Sequence, residues 1–131
     1  AISDIQTPIF AVGTETDHVA PWKSVYKINL LANSPRVTFL LTAGGHNAGI
    51  ISEPGHPHRH YQMATRPEHG IYMDPDTWQQ KTPYQEGSWW PAWQQWLAAN
   101  SGEPITPLYL GARNACFPPI CDAPGTYIFQ K

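Results

Sequence analysis

Residues 8–49 read PIFAVGTETDHVAPWKSVYKINLLANSPRVTFLLTAGGHNAG, and this stretch decides the fold class. Pro8-Ile9-Phe10-Ala11-Val12-Gly13 is a continuous apolar run ended by glycine, the pattern of a strand buried on both faces. Val37-Thr38-Phe39-Leu40-Leu41 repeats that pattern. Between them, Trp22, Val25, Tyr26, Ile28, Leu30 and Leu31 recur at near-helical spacing, with Pro21 suited to a first turn and Asn33-Ser34-Pro35 to a stop. Strand, loop, helix and strand in this order predict a βαβ unit over residues 1–50, with parallel strands and a right-handed crossover.

Outward from this unit the character changes. Residues 51–87 are rich in Pro, His and Gly without a sustained period, and predict an irregular, proline-stiffened wrap with a turn near Pro54-Gly55. Residues 88–131 open on SWWPAWQQWLAAN, a helix with Pro91 in its first turn and Trp89, Trp93, Trp96 and Leu97 on one face, read as core. The proline-rich tail ends in Thr126-Tyr127-Ile128-Phe129, a candidate edge strand. The class expected is α/β, a single segment of 131 residues.

Composition removes several functions. A net charge of −2 with scattered Lys and Arg leaves no basic footprint for nucleic acid. No apolar run reaches the roughly 18–20 residues that span a bilayer. No signal peptide is expected, because no basic region precedes an apolar one at the N-terminus. The chain begins at Ala1 directly before a strand, as a piece cut from a longer protein would. Cys116 and Cys121 fit reduced thiols of a cytoplasmic protein better than a structural disulfide.

In open parallel sheets, function gathers at the carboxyl ends of the strands. Asp17 follows the first strand and His46 the second, so both side chains are expected at one edge of the sheet. An acid and an imidazole placed there fit the last two members of a nucleophile–acid–base triad. By spacing alone, a capping Asp and a structural His fit equally well. His56, His58 and His60 alternate in GHPHRH, but three ligands without a fourth are a poor zinc site, and no metal is expected.

Four blocks, TETDHVAPWKSVYKINLLAN, RVTFLLTAGGHNAGIISEP, GSWWPAWQQWL and APGTYIFQK, together resemble the C-terminal part of a class I-type poly(3-hydroxyalkanoate) synthase, in order from about Thr7 to Lys131. The resemblance implies an α/β-hydrolase-type fold. It implies an acyltransferase that polymerises 3-hydroxyacyl-coenzyme A thioesters with a Cys-His-Asp triad. It places the acid on Asp17 and the base on His46, with His18, Trp22 and Gly45 in supporting positions and His18 in an orienting role. It implies no cofactor, coenzyme A thioester being the substrate. The partners implied are the substrate, the growing polyester chain and the missing N-terminal half of the enzyme. The location implied is cytoplasmic, with the polyester granule surface as the other possibility.

The family's nucleophile sits in a G-x-C-x-G elbow, and neither Cys116 nor Cys121 has that context, so the chain is expected to lack the nucleophile and to be inert alone. Thr16, Gly44 and Ser52-Glu53-Pro54 depart from the family pattern and mark a divergent member. Two other functions fit the residues: a related hydrolase (an esterase or polyester depolymerase), and a non-catalytic interaction module using the tryptophans. A sheet cut in this way leaves strands 8–12 and 37–41 at risk of unpaired edges, and self-association is expected.

Overall fold

The computed structural model describes residues 1–108, 111 and 117–131. They divide into two compact units, Ala1–Asn100 and Ser101–Lys131. The first unit is mixed α/β and is built on a four-stranded sheet in the order β1-β2-β3-β4. Strand β1 (Ile9–Thr14) runs parallel to β2 (Arg36–Thr42), in a register that pairs Ile9 with Val37 and Thr14 with Thr42. The expected parallel pair is therefore present. The crossover is two short helices, α1 (Trp22–Tyr26) and α2 (Ile28–Leu31), joined at Lys27, where one continuous helix was expected. Leu30 and Leu31 stay exposed while Asn29 is buried, donating to the Tyr26 carbonyl at 3.1 Å. The apolar face does not continue through the second helix.

Residues 51–87 correct the expectation of an irregular wrap. Strand β3 (His60–Pro67) lies antiparallel to β2, and the short β4 (Tyr84–Glu86) antiparallel to β3. Helix α3 (Pro75–Lys81) stands between them. Its start was readable: Asp74 accepts from the Thr77 amide at 3.0 Å and Pro75 takes the first helical position. The strand was not, because the fully buried Gln62 occupies an inward position that pattern reading assigns to an apolar residue. Its side-chain N–H2 donates to the carbonyls of Gln79, at 2.7 Å, and Thr82, while Oε1 is buried without a partner. The predicted turn at Pro54-Gly55 is present, with Gly55 at a φ of +89°.

Because β2 is flanked by β1 and β3, residues 37–41 are an interior strand; the expectation of an unpaired edge there is corrected. Among the described residues the edge strands are β1 and β4. Side chains of β2 alternate between two covered faces, as the two-residue period of a strand requires. Phe39 and Leu41 join Trp22, Tyr26 and Trp78 on one face, and Leu40 joins Tyr61 and Trp89 on the other. Gly13 permits the first packing, since a Cβ there would lie 2.9 Å from Trp22 Cβ.

Helix α4 (Trp90–Ala99) confirms the predicted helix, but its tryptophans do not form one buried stripe. Trp89, just before it, is buried; Trp90 and Trp96 are half-buried; Trp93 and Leu97 are exposed. In the second unit, residues 127–129 form a 3-10 turn, correcting the predicted edge strand.

Candidate active site

The site is made where β1 and β2 end. Parallel pairing continues past both strands: Glu15 N–H donates to the Thr42 carbonyl at 3.0 Å and Thr16 N–H to that of Gly44 at 3.1 Å. These bonds hold the Asp17 and His46 loops side by side although 29 positions separate the two residues. Close approach of the loops also needs Gly49, where a Cβ would meet Thr14 Cγ2 at 2.5 Å and the Ala43 carbonyl at 2.9 Å.

His46 Nδ1 lies 2.9 Å from Asp17 Oδ2. The other carboxylate oxygen, Oδ1, accepts from the backbone amides of Val19 at 2.8 Å and Ala20 at 2.9 Å. The Asp17 side chain is 7% exposed and that of His46 48%. One oxygen thus holds the loop, and the other meets the imidazole and also accepts from the Thr14 hydroxyl at 3.4 Å. The Ala20 amide, opposed by partial desolvation and joined by the His46 hydrogen bond and the Val19 amide, holds the Asp17 carboxyl down at about 2.

An ionised carboxylate only accepts hydrogen bonds, so Nδ1 carries a proton, and in the neutral ring the lone pair is therefore on Nε2. Beside the pair is a cleft of about 240 Å³ lined by Val12, Thr14, Val25, Asn47 and Ile50 among others. The arrangement provides an oriented, solvent-accessible base next to a partly apolar space.

The folded value of Asp17 lies below the ordinary 3.8, so the stability it contributes is present above about pH 4 and is lost as pH falls through about 2. A titration of the Asp17 carboxyl carbon by NMR is expected to show a midpoint near 2. A midpoint near 3.8 would mean that the amide contacts do not persist in solution.

The other expected residues fall in different places. His18 is exposed and hydrogen-bonds neither member of the pair. Trp22 is buried in the core, T-shaped against Tyr26 with centroids 6.2 Å apart. Gly45 borders the Asp17 loop, 3.5 Å from Thr16 Oγ1 by its Cβ direction. His56, His58 and His60 do not converge. His56 bonds the Pro57 carbonyl and the Arg59 guanidinium, His58 sits at a φ of +59°, and His60 lies 3.2 Å from Glu15. Among the described residues no three His, Cys, Asp or Glu side chains gather as a metal site. Cys121 is exposed in the second unit, and Cys116 lies outside the described residues. Among the described residues no helix is long and apolar enough to cross a membrane. Pattern reading missed Arg59, whose guanidinium grips the His46 loop; a lone arginine among histidines in a polar stretch carries no local signal.

No protein-family model matches the chain. It is 35% identical over 130 residues to poly(3-hydroxyalkanoate) polymerase 2 of Ectopseudomonas oleovorans, covering 99% of this chain and 22% of that protein. It is 36% identical over 133 residues to the poly(3-hydroxyalkanoate) polymerase subunit PhaC of Cupriavidus necator, covering 99% of this chain and 21% of that one. A third relative, the polymerase subunit of Rhizobium etli, is 34% identical over 134 residues, covering all of this chain and 20% of that protein. The chain spans about one fifth of the length of these relatives. Along its whole length, the chain is homologous to poly(3-hydroxyalkanoate) polymerases and matches a C-terminal fragment of such a synthase.

Proposed function

We propose that the chain supplies the acid and base of a Cys-His-Asp triad to a polyester-forming acyltransferase of the α/β-hydrolase type, with 3-hydroxyacyl-coenzyme A as substrate. The observation that carries this reading is the 2.9 Å contact between His46 Nδ1 and Asp17 Oδ2 at the ends of adjacent parallel strands. Homology to polymerases supplies the chemical class.

In this reading, Nε2 of His46 takes the proton of a cysteine thiol, and Asp17 stabilises the resulting imidazolium. The thiolate attacks the thioester carbonyl carbon, the carbon–sulfur bond to coenzyme A breaks, and the departing thiolate recovers a proton from His46. The acyl group is then held on the cysteine until a 3-hydroxyl gives its proton to His46 Nε2 and attacks the acyl carbon. The carbon–sulfur bond to the cysteine breaks, and the released sulfur takes that proton back from His46. The cysteine comes from a part of the enzyme outside this chain, since neither Cys116 nor Cys121 stands in an elbow sequence. Among the described residues the outer edge of β1, an apolar strand, has no paired strand, and it is where further strands of the enzyme would add.

Incubation of the chain alone with 3-hydroxybutyryl-coenzyme A is expected to release no coenzyme A above background. Adding the remainder of a polymerase, carrying the elbow cysteine, is expected to restore release. Turnover by the chain alone, abolished by Cys116→Ala or Cys121→Ala, would place the nucleophile in this chain and overturn the assignment.

A further inference from the structure

Five consecutive carbonyls immediately after the His46 turn are each taken by a side-chain donor from elsewhere in the first unit. Arg59 Nη2 donates to the carbonyls of Ala48, at 2.7 Å, and Ile51, at 3.1 Å. The indole N–H of Trp89 donates to Gly49 at 3.2 Å, and that of Trp90 to Ile50 at 2.9 Å. The Ser88 hydroxyl donates to Ser52. None of these four side chains hydrogen-bonds Asp17 or His46. We propose that Arg59, Ser88, Trp89 and Trp90 form a clamp on the backbone of residues 48–52 that positions His46 against Asp17. This rests on the reading of His46 as the catalytic base.

The need for a clamp follows from the loop's composition. Gly44, Gly45, Ala48 and Gly49 let the chain approach Thr14 closely, but small residues offer no side chains to anchor the turn. Among the described residues three backbone bonds tie the turn together: Gly49 to Gly45, and Ile50 and Ile51 to Asn47. Outside donors therefore fix it, and two of them are themselves held in place. Trp89 is buried in the cluster with Leu40 and Tyr61 and stacks on Phe10 at 6.5 Å. Arg59 directly precedes β3, and its third contact is His56 Nε2 at 3.2 Å. Both carbonyls are served from one nitrogen, Nη2, whose N–H directions are fixed by the planar guanidinium, whereas a lysine ammonium rotates freely on a flexible stem. This gives the tryptophan pair a role beyond packing: the indole N–H groups, not only the rings, are used.

The test is the tautomer of His46, read from long-range proton–nitrogen NMR spectra of the chain above neutral pH. A bond from Nδ1–H to an ionised carboxylate favours that tautomer by about ten-fold or more. In Arg59→Met and Trp90→Phe the preference is expected to fall several-fold, with resonances of β2 unmoved. Arg59→Lys is expected not to restore it. Trp90→Phe and Ser88→Ala leave the core side chains in place, and they carry the test if Arg59→Met unfolds. An unchanged tautomer in the folded clamp variants would overturn the proposal. Asp17→Asn separates the two ideas. If it alters the tautomer while the clamp variants do not, the clamp fails and the Asp17–His46 coupling stands. If it changes nothing, the coupling fails, and the clamp with it.

Discussion

Replacing His46 by Gln in the assembled enzyme is expected to lower the turnover of 3-hydroxyacyl-coenzyme A by about 10²–10⁴-fold, the usual contribution of a positioned general base. Glutamine keeps a polar side chain of similar reach but cannot accept and return a proton. The loss is therefore expected in kcat, with KM little changed. Asp17→Asn is expected to act in the same direction by another route. Its amide nitrogen turns a donor toward Nδ1, favouring the ring with its proton on Nε2, where the lone pair is needed. Both variants are expected to bind substrate and to stay folded. His46 lies half in solvent, and exposed substitutions usually change stability by no more than about 0.5 kcal/mol. Steady-state release of coenzyme A, together with thermal unfolding of each variant, checks both statements. Full turnover by His46→Gln would remove His46 from the mechanism.

The largest effect on stability is expected at Phe39. Its ring is 1% exposed and meets Tyr26 at 4.9 Å and Trp78 at 5.1 Å, both edge-on, and Trp22 at 6.2 Å. Edge-to-face contacts of this kind add to simple area burial. Phe39→Ala leaves a cavity that three large rings, each fixed on a different helix turn, cannot collapse to fill. The expected cost is about 3–5 kcal/mol. A domain of this size has only about 5–15 kcal/mol in total, so much of its margin disappears. Leu31→Ala is the control. Leu31 belongs to the apolar pattern of the crossover helix but is half exposed, and its loss is expected to change stability by about 0.5 kcal/mol or less. Urea unfolding of the two variants distinguishes them; equal midpoints would mean that the face of β2 bearing Phe39 is not a core.

The contrast between Phe39 and Leu31 shows how far pattern reading reaches. Strands β1 and β2 were legible because both are short apolar runs bounded by Gly, Ser and Pro, and strands covered on both faces are apolar on both. Their parallel pairing followed from the intervening helical stretch, and the shared edge of Asp17 and His46 followed from the pairing. That much needed no tertiary information, because strand period and crossover length are local properties of the chain. Strand β3 was illegible because Gln62 is buried by two carbonyls near α3 rather than by its own polarity, and β4 because three exposed residues have no period. The break after Tyr26 was hidden because helical spacing persists in sequence while the buried face does not. The clamp lies furthest from sequence. Trp89 and Trp90 reach carbonyls 40 positions away, and Arg59 reaches carbonyls 8 and 11 positions away. A backbone carbonyl is the same group at every residue, so no side-chain pattern marks which ones will be gripped. The sequence alone determined which residues could act as acid and base. Only the tertiary structure decided what holds them in place, because that depends on which distant donors the packed sheet brings to one loop.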